Sequence, residues 1–527
     1  MSEHSSGVVG RATIGDAIHR QALRQPNKDA LVTYNTDGSR NALTYRELDL
    51  RAASCATGLR ELGVQRGDVV AICAPNGVEY IVAYLGALHI GATVTGVNWA
   101  APVADIEWQI EHAGATTVVI GESRLHECEE ILKQSTTVQH VIVVGDSAIG
   151  ASIEVTKFSS LLQNAPLNNS DTDVTENDIA LLVYTSGSES KPKGALIPHR
   201  NYLISTTFSL LAAGYISPDD VYLFVKPFHT IAGIGSITSM LLVGSTLVFL
   251  EAVTPDAVLD VVQEARITTI SQTPTFYVGL TRSEKFATAD FSSLRTCQTY
   301  GGLVSRTMLE TFANKAPHIR WASYWGQSEL TQLGTIGWFR TFDDIPAGDP
   351  RWIGIPTPGL EVRIVDADGN DADTGEMICR SPSVMAGYHN DAERTAETIS
   401  NGWLHTGDIV HRDNDGNLFF FDRIKDMVKT GGMNVSSLEV EDALHQHPAI
   451  SQAAVVGLPD EYWAEAVTGF VILRQGMTVS ESDVIDFCRG LLSAYKVPKR
   501  IVFLDALPVD AQGKIRKREL RALYSPG

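Results

Sequence analysis

The first part of the chain alternates between two hydrophobic periodicities. Residues 43–62 place apolar side chains at helical spacing, residues 68–74 form a short β-rich run, and residues 81–88 return to helical text. Residues 116–120 and 140–144 are again strand-like with helical sequence between them, and 221–227 and 245–250 continue the rhythm. Strand and helix in turn predict an α/β architecture with a largely parallel sheet. From residue 359 the pattern changes. The runs LEVRIVDADG, EMICRSP and NLFFFDR, with Asp-Gly pairs at 368–369 and 415–416, predict a β-rich portion built from hairpins. Beyond Arg423 a polar, glycine-containing stretch leads into a region of mixed α+β character. The expected organisation is a large N-terminal α/β core of several subdomains (1–421), a junction at 422–426, and a small α+β C-terminal domain (427–527).

A chain of 527 residues is too long for one ordinary core. Hydrophobic residues at 44% and charged residues at 20% describe a globular protein rather than a disordered one. The formal charge of −20 excludes the basic stripe of a nucleic-acid binder; the one basic cluster, 514–521, fits either a solvated face or a phosphate site. The six cysteines are scattered, with no C-x-x-C pair, and suit a core in a reducing compartment. Residues 1–11 lack the apolar run of a signal peptide, and the most apolar stretch, 237–250, is too short for a membrane span. A cytoplasmic location is expected.

Residues 184–195 read YTSGSESKPKGA after an apolar run. Small hydroxylated residues and glycine expose backbone N–H groups, and Lys191 and Lys193 add positive charge. The Walker pattern is absent. On these residues alone, a polyphosphate cradle and a Ser/Lys surface turn are equally open.

The segment resembles the T-S-G-T-T-G-x-P-K-G loop of the adenylate-forming superfamily, which includes acyl-CoA synthetases, peptide-synthetase adenylation domains and luciferases. Thr185, Ser186, Gly187, Pro192, Lys193 and Gly194 match it, Ser188 is a conservative change, and Glu189 and Ser190 depart from it. Further motifs follow in the family's order. Pro227-Phe228-His229 with Gly233 resembles the segment at the edge of the acyl pocket. Gly301-Gly302-Leu303 is similar to the turn that lies against adenine. Tyr324-Trp325-Gly326-Gln327-Ser328-Glu329 resembles Y-G-x-T-E, and residues 402–408 (GWLHTGD) match G-W-x-x-T-G-D. Residues 422–441 resemble the hinge motif, with Asp422 replacing the usual Gly, and 508–520 resemble the terminal G-K-I motif. The resemblance spans residues 43–520.

It implies an enzyme that uses ATP and Mg²⁺ to convert a carboxylate into an acyl-adenylate and then passes the acyl group to coenzyme A. Lys514, Glu329 and His229 are implied to serve the chemistry. Lys514 bridges carboxylate and α-phosphate, and Glu329 holds Mg²⁺. Thr185, Ser186, Gly187, Ser188 and Lys193 would hold phosphates, Gly301, Gly302, Leu303, Tyr324, Trp325, Gly326, Gln327 and Ser328 the adenine and α-phosphate, and Asp408 and Arg423 the ribose. A mobile C-terminal domain, hinged at Lys425, would then bring in Lys429, Gly431 and Gly432 for the thiol arm, with Trp463 against the CoA adenine. Trp463 reads equally well as a partly buried surface residue.

Peptide-synthetase adenylation domains carry an Asp just after the Phe of this region to pair with the α-amine. Here the text is FHTIAG, with His229 and no acidic residue until Glu251, so the resemblance disfavours an α-amino acid. Gly326, where acetate-using relatives carry Trp, implies a pocket open behind the carboxylate. An aromatic, alicyclic or medium to long aliphatic acid is expected. A second reading is a stand-alone adenylating enzyme that serves a carrier protein or separate ligase. A third is a non-catalytic adenylate binder, against which Lys514, Glu329 and Asp408 weigh.

Overall fold

Thr44 and Glu47 close a reciprocal capping box that starts the helix Tyr45–Glu61, so the helical spacing of 43–62 becomes a helix bounded by its own cap. α1 (Val78–His89) is buried nearly all round and lies close against that helix. A Cβ on Gly86 would come within 2.9 Å of Cys55, so glycine is what lets the two backbones approach. The computed structural model describes residues 10–145, 153–168, 171–185, 192–214, 216–509 and 515–525. Contacts divide the chain into two compact units: residues 1–361 with 380–404, and residues 362–379 with 405–527.

The first unit contains two sheets. One is built on β1 (Val69–Cys73), β2 (Thr93–Gly96), β3 (Ala115–Gly121), β4 (His140–Val144) and β5 (Ile179–Thr185), which pair in parallel in the spatial order β5-β2-β1-β3-β4. β6 (Lys193–Pro198) returns antiparallel beside β5. The other contains β7 (Val221–Phe224), β8 (Thr246–Leu250), β9 (Thr269–Gln272), β10 (Thr296–Tyr300) and β11 (Arg320–Gly326), parallel in the order β8-β7-β9-β10-β11. β12 (Leu333–Phe339) runs antiparallel to β11. The α/β alternation with parallel sheets is therefore observed. The strand expected over 221–227 stops at Phe224, ahead of Pro227, which has no N–H for a ladder. α2 (Ile231–Val243) starts at the Thr230 cap and fills the apolar stretch before β8.

The second unit holds the β-rich residues, among them β13 (Trp403–Arg412, whose first two residues belong to the first unit) and β14 (Leu418–Arg423), paired antiparallel. The expected turns at 368–369 and 415–416 place Gly369 and Gly416 at positive φ, 82° and 85°. β15 (Val428–Thr430), β16 (Met433–Val435), β17 (Ile450–Asp460) and β18 (Ala464–Leu473) form an antiparallel sheet, packed on α3 (Ser437–His445) and α4 (Lys517–Tyr524). Among the described residues no helix is long and apolar enough to cross a membrane.

Candidate active site

In the first unit, the described motif residues sit at the ends of strands or just past them. Thr185 ends β5 and Lys193 begins β6, and the two are register partners, so the loop between them joins neighbouring strands. Ser186, Gly187, Ser188, Glu189, Ser190 and Lys191 lie outside the described residues. At the end of β5 the Tyr184 hydroxyl meets His112 Nδ1 at 2.7 Å, and the His112 ring lies against Trp108. Lys193 Nζ stands 5.6 Å above the Tyr388 ring, within cation–π range.

Tyr388 in turn donates to Glu329 Oε1 at 2.7 Å. Burial first, then the negative charge of Glu329, push the Tyr388 phenol far up, so it remains a donor at every working pH. Met385 N–H donates to the Glu329 carbonyl at 2.8 Å, and Gly387 and Tyr388 pair with β6. Glu329 is thus held at its side chain by Tyr388 and at its backbone by Met385, both from one short segment paired with the strand that Lys193 begins. Just beyond it, Thr331 adopts φ 73°, unusual for a β-branched residue, and its hydroxyl donates to the Ser383 carbonyl at 2.5 Å.

The adenine turn follows β10. Gly301 has φ 71°, whereas a Cβ on Gly302 would make ordinary contact with Pro274; Leu303 is half-buried. Tyr300 and Tyr324, register partners at the ends of β10 and β11, stack with centroids 5.1 Å apart. Trp325 is 8% exposed and rests on bare backbone: a Cβ on Gly334 would lie 2.5 Å from its ring. Ser328 is buried, and Gln327 Nε2 is a buried donor with no hydrogen-bond partner.

Gly326 carries a steric constraint of its own. A Cβ there would lie 2.0 Å from the Gln332 carbonyl oxygen, at the irregularity where β11 crosses β12. The glycine is needed for this backbone approach, and an indole would displace β12 rather than simply fill a pocket.

His229 is placed by its neighbours. Phe228 anchors the segment in a cluster with Tyr80, Phe224 and Phe249. Asn76 clamps the turn, donating to the Lys226 carbonyl at 2.7 Å and accepting from Phe228 N–H at 3.0 Å. Gly96 lets the chain pass, since a Cβ there would be 2.5 Å from His229 Cα.

In the second unit Asp408 and Arg423 are register partners on β13 and β14, with Nε 3.3 Å from Oδ1. Asp408 is 1% exposed and Arg423 is largely open to solvent. Asp422, in place of the family's glycine, points inward and accepts from Ser437 N–H and Oγ, both at 2.6 Å, tying β14 to the start of α3. Lys517 donates to the same Ser437 hydroxyl at 2.6 Å and pairs with buried Glu441 at 2.8 Å. Lys425 and the Lys429 side chain are exposed, and Lys429 N–H donates to Glu465. Gly431 and Gly432 have φ 56° and 78°. Trp463 lies against Gly431, whose N–H donates to the Trp463 carbonyl at 2.8 Å, and Lys499 Nζ sits 4.7 Å from its ring. Lys514 lies outside the described residues; Val509 and Ile515, on either side, pair as an antiparallel bridge.

The donor set fits the groups the chemistry needs. Among the described residues no cluster of three His, Cys, Asp or Glu forms a complete metal site. A single oriented carboxylate, Glu329, is what Mg²⁺ takes from a protein when phosphates and water supply the rest. Tyr388, Asn76, Gly96 and Gly334 carried no signal in the sequence, because their roles depend on contacts between distant segments.

A carboxylate just past the end of a parallel strand, and a lysine beside the end of another, with a glycine turn following a third, suit the handling of nucleotide phosphates. The AMP-binding enzyme family profile matches residues 18–389, and the profile of that family's C-terminal domain matches residues 439–514. The chain belongs to the AMP-binding enzyme family. It is 31% identical over 487 residues to a feruloyl-CoA synthase from Amycolatopsis sp, covering 92% of this chain and 94% of that protein. It is 32% identical over 545 residues to a long-chain-fatty-acid–CoA ligase from Escherichia coli O157:H7, covering 96% and 93%. The ATP-bound crystal structure of MatB from Rhodopseudomonas palustris superposes with a TM-score of 0.86 at 26% identity, covering 98% of this chain and 99% of that one.

Proposed function

We propose that this enzyme activates an aromatic, alicyclic or medium to long aliphatic carboxylic acid. It is an AMP-forming acid–thiol ligase: ATP and the acid give an acyl-adenylate and pyrophosphate, and coenzyme A takes the acyl group and releases AMP. The observation that carries the reading is the linked set Lys193–Tyr388–Glu329, a cation and an oriented carboxylate beside the loop that follows β5.

A carboxylate attacks the α-phosphorus poorly because both partners are anions. Catalysis is therefore mostly positioning and charge neutralisation. Lys514 brings the two anions together, Lys193 holds the departing pyrophosphate, and Asp408 accepts from the ribose hydroxyls. Mg²⁺ on Glu329 supplies further neutralisation when bound. A core of residues 1–421 and a mobile domain of 427–527 meet at a hinge at 422–426, a junction that falls within the second compact unit, and the mobile domain presents Lys514 in the first step and Gly431-Gly432 in the second. Gly432 has open space around its Cβ position, consistent with a passage for a thiol arm. The feruloyl and long-chain fatty acid relatives support a large acyl group.

The test is pyrophosphate release across a panel of carboxylic acids, with and without coenzyme A. Release with a bulky acid, and thioester only when coenzyme A is present, is the expected result. Adenylate that never becomes a CoA thioester would hand the second step to a carrier protein.

A further inference from the structure

Lys226 is 2% exposed, and among the described residues no carboxylate pairs with it. Its Nζ lies 3.1 Å from Ser236 Oγ, 3.0 Å from Ser271 Oγ and 3.4 Å from the Tyr324 hydroxyl, with the Tyr300 ring centroid at 4.8 Å. Burial alone pushes its ammonium down to about 7. An uncompensated cation in a core is costly, and hydroxyls and a ring face offset only part of the lost hydration. Such a group persists where something else completes its environment.

Its position says what that is. Lys226 lies two residues past the carboxyl end of β7, Ser271 is on β9, Tyr300 ends β10 and Tyr324 is near the end of β11. These are the strand ends that carry Pro227-Phe228-His229, the Gly301-Gly302 turn and the run Trp325 to Glu329. Ligands of open parallel sheets bind at that edge. The amine therefore lies among the strand ends that carry the candidate site residues, held by side chains from the same strands.

Resting on the acid-activating reading above, the structure assigns Lys226 as the specificity-determining residue for an acid that carries an oxygen acceptor at its far end: a second carboxylate, a ketone or a phenolic oxygen. The acceptor takes an N–H that Ser236, Ser271 and Tyr324 now share. A plain alkyl or phenyl terminus offers nothing in return, and its entry would strip the amine of part of its polar shell.

The experiment uses the full chain and pairs of acids matched in length: cinnamic against para-hydroxycinnamic acid, and octanoic acid against its terminal keto and dicarboxylic counterparts. Pyrophosphate release gives kcat/KM for each. The wild type is expected to favour the acceptor-bearing member of at least one pair by roughly ten- to a hundredfold, the scale of one charge-assisted hydrogen bond. The pair that shows it identifies the acceptor. In Lys226→Met, similar in length but unable to donate, that ratio should fall to near one, while Lys226→Arg should retain part of it. Ratios near one for every pair in the wild type overturn the assignment whether or not the variants fold. So does a ratio that survives in folded Lys226→Met. Absence of pyrophosphate release with every acid would instead overturn the broader acid-activating reading.

Discussion

The phenol of Tyr388 donates to Glu329 Oε1 at 2.7 Å, joining two residues 59 positions apart in the chain. The bond orients the carboxylate expected to meet Mg²⁺ while leaving its charge intact, as supporting hydrogen bonds do around metal ligands. Tyr388→Phe should therefore raise the Mg²⁺ concentration for half-maximal pyrophosphate release several-fold. Glu329→Gln, which removes the charge, should raise it further. Superimposable Mg²⁺ titrations for wild type and Tyr388→Phe would remove the orienting role.

Asp408 is buried with one oxygen toward Arg423. If it accepts from the ribose hydroxyls, Asp408→Ala loses charge-assisted bonds worth about 1.5–3 kcal/mol, or roughly ten- to a hundredfold in ATP affinity. Equilibrium binding of ATP measures this directly. Normal affinity in a folded variant would rule out the ribose contact.

Lys514→Ala should nearly abolish adenylate formation yet still convert synthetic acyl-adenylate to thioester. Gly432→Leu should do the reverse, making adenylate while blocking the thiol's path. Since Gly432 has φ 78°, the leucine variant also carries backbone strain, so its melting temperature should be recorded beside the single-turnover rates. Equal loss of both half-reactions in both variants would argue for one fixed site and against alternation about residues 422–426.

Much of this arrangement was legible in the sequence, and the exceptions have a common cause. The helical spacing of residues 43–62 and the β-rich run at 68–74 became elements because local pattern and burial agreed. The motif residues were found because their order along the chain is distinctive. The backbone constraint at Gly326 was not legible because its neighbour, the Gln332 carbonyl, precedes a return strand whose path no local pattern reveals. Tyr388 and Lys226 were overlooked for the same reason: one acts through Glu329, and the other through side chains from three different segments.

The geometry at Gly326 gives its own expectation. Gly326→Ala places a Cβ 2.0 Å from the Gln332 oxygen, so it should lower the melting temperature and reduce turnover for every acid alike. A selective loss of large acids, with stability unchanged, would restore the pocket-gating view.

His199 gives a pH signature. It is fully buried, accepts from Ile14 N–H at Nδ1, and burial pulls its imidazole down to about 4 from the usual 6.5. Between those values the unfolded chain binds a proton that the folded chain does not, so stability rises with pH. The contribution is complete above about pH 6.5 and falls by about 1.4 kcal/mol per unit as pH drops toward 4. Urea midpoints at neutral pH and near pH 5 should separate more for wild type than for His199→Gln. Equal separations would mean that other groups carry the acid sensitivity.

All six cysteines are buried and free, and burial pushes Cys55, Cys73 and Cys379 up to about 12 and Cys488 to about 11. Maleimides need an accessible thiolate, so the native thiols are shielded both by access and by ionisation. The protein can thus take fluorescent dyes at introduced sites without first being stripped of its own sulfur. Leu23→Cys and Leu523→Cys, both well exposed and one in each unit, would form a donor–acceptor pair on an otherwise silent background. Energy transfer between the two dyes would then follow a change of conformation in real time as acid, ATP and coenzyme A are added in sequence.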